Sequence, residues 1–354
     1  MKAWRLETAG PSLRLLDVSD LTPRPGSVTI RIEACSVVSY LRQYVEGKLP
    51  GYNPPDGTFT PGTNGIGTIA EVGAQVYDLT PGQRVLTTGS VTAAENVPEP
   101  AVALLSMTAA PANAALLNDW PEGTLAEVAM APVSVVTPIP AELDDVPSER
   151  LAVITRCLVP YGGLRRGRLE PGETVVVNGA TGDFGQAAVY VALAMGAGKV
   201  VAAGRNRTVL DRLGKLDRVV PVGLTGDVDA DAQALRAAAG GGADLGFDMI
   251  GGATDTAATE STLVALRRGG RLVLMGSARA PLPVDYTQLM MTNREIIGHF
   301  MYPAGAPAQL LKLAAGGLLD LEGIQIATFP LDQLDAAMDK AAESGGPLVV
   351  VQPN

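Results

Sequence analysis

Gly179, Gly182 and Gly185 stand three residues apart in the run Val175-Val176-Val177-Asn178-Gly179-Ala180-Thr181-Gly182-Asp183-Phe184-Gly185, which continues into Gln186-Ala187-Ala188-Val189. An apolar strand, a glycine turn and a helix follow one another directly. Chemistry at such a joint needs a tight turn, then bare N–H groups that approach a diphosphate, then close packing of helix on strand. The helix N-terminus adds the positive end of its dipole. Glycines at turns are common, so the strand–loop–helix context carries the reading. Candidate cofactor contacts are therefore Gly179, Ala180, Thr181, Gly182, Asp183, Phe184 and Gly185. A loop serving an ATPase would place Lys and Ser/Thr after its last glycine, and Gln186-Ala187 stand there instead.

The second test lies about 20 residues further on, where an acid would bind a ribose 2′-hydroxyl. The chain there reads Ala202-Ala203-Gly204-Arg205-Asn206-Arg207, with no carboxylate and two arginines. A guanidinium fork suits a phosphate dianion, which a carboxylate would repel. Gly204, Arg205, Asn206 and Arg207 thus read as a site for the 2′-phosphate of NADPH.

The remaining inventory excludes much else. The 354 residues carry one histidine, His299, and two cysteines, Cys35 and Cys157, too few for a disulfide scaffold or a zinc finger. A Ser-His-Asp triad would have to use His299. A net charge of −10 opposes a nucleic-acid partner, and 4% aromatic residues leave few platforms for stacking bases. The opening MKAWRLETAG has no apolar run of signal-peptide type. The apolar stretch 101–117 is broken by Pro111 and Asn113, too short for a span of about 20 residues. A cytoplasmic protein with no membrane partner is expected.

The elements that must position these residues fall into two textures. Residues 27–34 (SVTIRIEA), 65–72 (GIGTIAEV) and 84–88 read as short strands between turn signals, which predicts a partly closed antiparallel barrel. Beyond Val146 the pattern changes to apolar strands at 173–178, 199–203, 218–222, 243–250 and 271–275. Helices are predicted at 151–159, 186–195, 208–213, 231–239 and 256–267. Strands alternating with helices predict a doubly wound parallel sheet, an α/β fold. The tail reads as a helix over 331–343 and a strand over 347–351. Residues 91–125, rich in Ala, Pro and Met, take no assignment.

With these residues in view, the chain resembles the medium-chain dehydrogenase/reductase superfamily, and within it the zinc-free quinone and enoyl reductase branch. The likeness rests on residues 21–29 (LTPRPGSVT), 61–73 (PGTNGIGTIAEVG), 79–85 (LTPGQRV), the loop 179–185, and 269–276 (GGRLVLMG). It implies a GroES-like, mostly β catalytic domain over 1–140, completed by 305–354, and a Rossmann dinucleotide-binding domain over 141–304. It also implies that nicotinamide lies against Gly276, Ser277 and the segment carrying His299, Phe300 and Met301. Many members dimerise through the segment matching 295–301, so a homodimer is expected.

Departures from that likeness are informative. Zinc-dependent members carry Cys, His and Glu where this chain has Val37, Thr63 and Asn64, and a further Cys near Thr155 or Cys157. A catalytic zinc needs about three protein ligands, so the expectation is no metal. Without a metal to stabilise an alkoxide, reduction of a conjugated C=C or a quinone, whose charge spreads into an enolate or hydroquinone, is the favoured chemistry. Ser39 and Tyr40 occupy the stretch that holds a proton-relay hydroxyl in zinc-dependent relatives. They are the candidate catalytic donors, with solvent as the rival proton source, and Asn64 and Tyr52 are placed in the substrate pocket. Enoyl-thioester reductases have a tyrosine where Leu49 stands. The expected activity is NADPH-dependent reduction of a small-molecule enone or quinone. A zinc-free alcohol or ketone dehydrogenase and a non-catalytic nucleotide-binding sensor are the rivals. The Tyr44…Lys48 pair is read as chance, Cys35 and Cys157 as buried small hydrophobes, and Asp227–Asp231 as a solvated face.

Overall fold

Alternating apolar residues do build the first sheet. A computed structural model describes residues 1–7 and 12–353, so positions 8–10 of the opening stretch lie outside the described residues. The strand Ser27–Val37 runs three residues past its predicted end. Val28, Ile30 and Ile32 are fully buried, and the intervening Thr29 is buried too. Both edges of this strand are used. One pairs antiparallel with Gly65–Val72; the other pairs first with Val128–Pro132 and then with Leu348–Gln352. Each large apolar side chain taken out of water here contributes about 1.5–3 kcal/mol.

The predicted antiparallel barrel needs one correction. The strands Ile326–Pro330 and Leu348–Gln352 pair parallel, because the helix Leu334–Ala341 carries the chain back over the sheet between them. The order is therefore an open path, with the helical crossover that a parallel pair requires. The unassigned stretch 91–125 holds two short strands, Val102–Leu104 and Thr108–Ala109, which extend Ser90–Thr92, followed by the helix Ala114–Asp119. Tyr44, buried on the helix Leu41–Val45, donates its hydroxyl to the carbonyls of Ser106 (2.7 Å) and Met107 (3.1 Å) and pins this segment. Burial also pushes the Tyr44 phenol upward from its usual pKa. Lys48 pairs instead with Glu46, so the Tyr44…Lys48 spacing has no joint chemistry.

Continuous apolar runs build the second sheet. Val175, Val176 and Val177 are fully buried, as a strand covered on both faces must be. Six parallel strands lie in the order Val219–Gly223, Lys199–Gly204, Thr174–Asn178, Ala243–Asp248, Leu266–Leu274, Glu295–Gly298. Counted along the chain this is 3-2-1-4-5-6, the doubly wound order, whose strand order reverses beside Thr174–Asn178. Val176, Val201, Leu235 and Leu272 meet in one buried cluster of the sheet and its helices.

Two local expectations change. The helix predicted over 256–267 ends at Ala265, because Leu266–Leu274 joins the sheet with a register shift opposite Ala243 and Leu245. Asp231 is not solvated: it is 2% exposed and accepts from the N–H groups of Thr225 and Gly226 and the Thr225 hydroxyl. The buried carboxylate ties down the turn ahead of its own helix.

The chain divides into two compact units, Met1–Thr155 with Pro307–Ala315 and Leu321–Asn354, and Arg156–Ala306 with Gly316–Asp320. Among the described residues no helix is long and apolar enough to cross a membrane. The Tyr44 hydroxyl offers a direct stability test, since Tyr44→Phe leaves two buried carbonyls short of a donor. Unfolding by denaturant should show a loss of about 1–3 kcal/mol, with the far-ultraviolet spectrum unchanged.

Candidate functional site

The second unit supplies a cradle at the carboxyl ends of its parallel strands. After Asn178 the chain turns through Gly179, whose φ of +82° is the left-handed conformation that favours glycine. Gly185 lies so close to this turn that a Cβ there would fall 1.9 Å from the Gly179 carbonyl oxygen. These two glycines are required by the chain's own packing.

Gly182 is different. Its φ is −83°, an ordinary value, and an added Cβ would find nothing nearer than the Gly179 oxygen at 3.4 Å. The protein leaves room for a methyl group there, so the missing side chain keeps a surface open for something else. The helix it starts, Asp183–Ala194, is capped by no side chain. Asn206, Asp227 and Asp285 by contrast cap their helices by accepting from Val209, Ala230 and Gln288. The first N–H groups of a helix lack intrahelical partners. The Asp183–Ala194 helix thus presents open backbone, first-turn donors and the positive dipole end together, which fits the diphosphate of a dinucleotide.

The neighbouring candidates fall into place with some reassignment. Thr181 packs onto Gly204, where any Cβ would sit 2.6 Å from the threonine methyl. Ala180 is fully buried and donates its N–H to the Ala203 carbonyl, which binds the loop to the next strand. Arg205 is exposed, directly after the strand Lys199–Gly204. Asn206 spends its side-chain oxygen on the helix cap, so its first role is structural. The guanidinium of Arg207 lies against Gly223 of the adjacent strand. Ser277 staples two loops, its N–H donating to Ile250 and its hydroxyl accepting from the Gly252 N–H at 2.8 Å. Gly276 is packed on the Ile250 carbonyl, leaving no space for a side chain.

His299 donates its backbone N–H to Leu274, while its Nε2 is buried without a hydrogen-bond partner. Burial, then the nearby Arg166, hold the imidazole below its usual pKa. Phe300 is 69% exposed, and Met301 adopts a φ of +62°.

The first unit holds the hydroxyl candidates. Tyr40 and Tyr52 are neighbours, with ring centroids 5.9 Å apart, and Ser39 precedes Tyr40 at a half-buried turn. Asn64 donates its amide to the Thr63 hydroxyl at 2.9 Å, and its carbonyl accepts from Thr124. The Thr155 hydroxyl lies 2.8 Å from that of Ser36 and 2.6 Å from the Ala152 carbonyl. Cys35 and Cys157 are both fully buried, and burial pushes each thiol up to about 12. Such thiols are inert small hydrophobes.

Sequence reasoning missed two parts of the cradle. Asp248, 4% exposed, accepts from the Asn178 amide (3.1 Å), the Thr259 hydroxyl (3.0 Å) and the Ile250 N–H (3.2 Å). Burial raises its carboxyl pKa, and those hydrogen bonds oppose the rise. This network fixes the ends of the two strands between which the order reverses. An acid inside the apolar run 243–250 was its only trace. Arg156, the second, is 2% exposed, pairs with Asp183 at 3.0 Å and stacks 4.6 Å from the Phe184 ring centroid. Its neighbour in sequence, Cys157, gave no hint of that.

Zinc is implied by the family likeness, and the donor set does not fit it. Val37, Thr63, Asn64 and Thr155 offer no thiolate, imidazole or carboxylate, and Cys157, the other candidate for the last position, is a buried thiol raised to about 12. Among the described residues no three His, Cys, Asp or Glu side chains come together where they could hold a metal.

Comparison with known proteins agrees with the two-unit fold. The alcohol dehydrogenase GroES-like domain family matches residues 24–141, and the zinc-binding dehydrogenase family matches 184–316. A putative D-xylulose reductase of Rhizobium meliloti is 29% identical over 97% of this chain and 96% of its own. An acryloyl-coenzyme A reductase of Metallosphaera sedula is 26% identical over 95% and 94%. A putative zinc-binding dehydrogenase of Sinorhizobium meliloti, solved bound to NADP, superposes with a TM-score of 0.81 at 20% identity, covering 99% of both chains. From the doubly wound sheet, the glycine cradle and these matches together, the chain is an oxidoreductase of the medium-chain dehydrogenase/reductase superfamily.

Proposed function

We propose that this protein is an NADPH-dependent, metal-free reductase of an activated C=C, as in an enone, or of a quinone. The observation that carries the reading is the donor set at the superfamily's zinc positions. There a valine, two neutral polar residues and a hydroxyl engaged with Ser36 replace the ligands. Without a Lewis acid, a substrate whose developing negative charge is delocalised is the easier one to reduce.

The bound nicotinamide supplies the hydride. The chain's own residues do the rest. Gly182 leaves the approach to the Asp183–Ala194 helix open, and the first-turn N–H groups hold the diphosphate. Arg205 binds the 2′-phosphate as a planar fork. Ser277 and Gly276, tied to Ile250, give a rigid backbone edge against which the nicotinamide is oriented. Tyr40, with Ser39, donates a hydrogen bond to the substrate oxygen, and Tyr52 and Asn64 line the pocket.

The relatives bear on the choice of substrate. The acryloyl-coenzyme A reductase acts on a conjugated C=C and supports the main reading. The xylulose reductase and several alcohol dehydrogenases favour the second, a zinc-free carbonyl–alcohol exchange. We also propose a homodimer through the sheet edge. Glu295–Gly298 is the outermost strand, and Met290, Met291 and Phe300 near it are all more than half exposed.

Three measurements test this reading. With NADPH and an enone, product analysis should give the saturated ketone; allylic alcohol would establish the second reading, and no turnover across an enone and quinone panel would sink both. Arg205→Asp should raise the Kd of NADPH about 10- to 100-fold and change that of NADH by less than about threefold; equal losses would remove Arg205 from phosphate recognition. Gly182→Ala should leave thermal stability within about 0.5 kcal/mol of the parent while weakening both cofactors at least tenfold. Gly185→Ala, by contrast, should destabilise the fold itself.

A further inference from the structure

One charged pair beside the cradle is not needed to hold a dinucleotide in general terms. Asp183 is the first residue of the helix that receives the diphosphate. A carboxylate there suits the dipole of an empty helix end, yet it stands where a second set of negative charges must dock. Arg156 answers it. Its guanidinium side chain is 3% exposed, against 25% for Asp183, and lies 3.0 Å from the carboxylate. It is also held over the Phe184 ring, the next residue of the same helix turn. The cation thus touches the first two residues of that turn.

A buried guanidinium left unpaired is strongly unfavourable, so this one is held to its carboxylate. We propose that Arg156 is a positioning residue for cofactor binding: it neutralises and anchors Asp183, so that the helix end keeps its capacity for the diphosphate. This inference rests on the dinucleotide reading above. It adds a residue that the glycine pattern does not contain. The alternative, an ion pair that only stabilises the fold, predicts no dependence on which part of the ligand carries charge.

The test compares NADP+ with adenosine 2′-monophosphate, which has the 2′-phosphate but no diphosphate, by titration calorimetry. The variants are Arg156→Gln, Asp183→Asn and the double substitution. Arg156→Gln should weaken NADP+ at least tenfold and leave the monophosphate within about twofold. Asp183→Asn, which removes the competing anion and keeps the cation, should tighten NADP+ severalfold. The double variant should return to within about threefold of the parent. Equal loss of both ligands in Arg156→Gln, or no recovery in the double variant, overturns the proposal. Should Arg156→Gln fail to fold, Asp183→Asn decides alone: unchanged or weaker NADP+ binding overturns it. Parent protein that binds neither ligand defeats the underlying reading instead, and the proposal falls with it.

Discussion

Contact between two stretches of bare backbone sets the geometry on which everything else depends. Gly185, in the first turn of a helix, touches the carbonyl of Gly179, in the turn that ends a strand, and no side chain fits between them. That contact fixes the angle at which the helix leaves the sheet. With the angle fixed, the helix end points at the region outside the carboxyl ends of the strands, where the order reverses. The N–H groups of the first turn then act together on one anion instead of being scattered.

A fixed angle needs fixed strand ends. The Asn178–Asp248–Thr259 network supplies them: the buried carboxylate at the end of one strand is the common acceptor for groups from the neighbouring strand and a helix. Removing one member of such a network leaves a buried polar group unsatisfied, which costs more than a typical hydrogen bond contributes. The loop after the next strand is tied in by Ser277, whose hydroxyl accepts from the Gly252 N–H. The cradle is thus rigid on both sides of the diphosphate position before any ligand arrives, which lowers the ordering cost of binding.

The sequence showed the parts whose chemistry is local. Gly179 and Gly185 were legible because a turn and a packing contact each demand glycine at a stated spacing. The parallel strands were legible because burial on both faces leaves a continuous apolar run, as at Val175–Val177. What escaped were pairings between distant positions. Arg156 and Asp183 lie on two helices, and no spacing rule brings a guanidinium to that carboxylate. Thr29 reads as the polar side of an alternating strand, yet it is buried, on a strand paired along both edges, with Glu71 opposite it on one side and Met130 on the other. Leu266 and Arg267 carry a helix-like pattern, and the register of a neighbouring strand decided otherwise. Asp231 looked like one of a run of solvated acids until Thr225 and Gly226 turned their N–H groups onto it.

Chemistry at the hydroxyl cluster follows the same logic of what a neighbourhood can satisfy. Where relatives set a thiolate for zinc, Thr155 turns its hydroxyl to Ser36 and to the Ala152 carbonyl, both within the unit it belongs to. A buried hydroxyl satisfied in this way is a poor ligand for a dication, and it holds no negative charge to draw one in. Two buried thiols nearby in sequence, each raised to about 12, do not supply the missing charge. In the proposed reaction a substrate oxygen meeting neutral donors such as Tyr40 would gain hydrogen bonds without full charge compensation. That suffices for an enolate or a hydroquinone, whose charge is spread over several atoms, and falls short for a localised alkoxide. Exchanging ionised ligands for hydroxyl and amide groups that bond to one another removes the charge that a dication needs, and that exchange is the physical basis of the proposal of conjugate reduction.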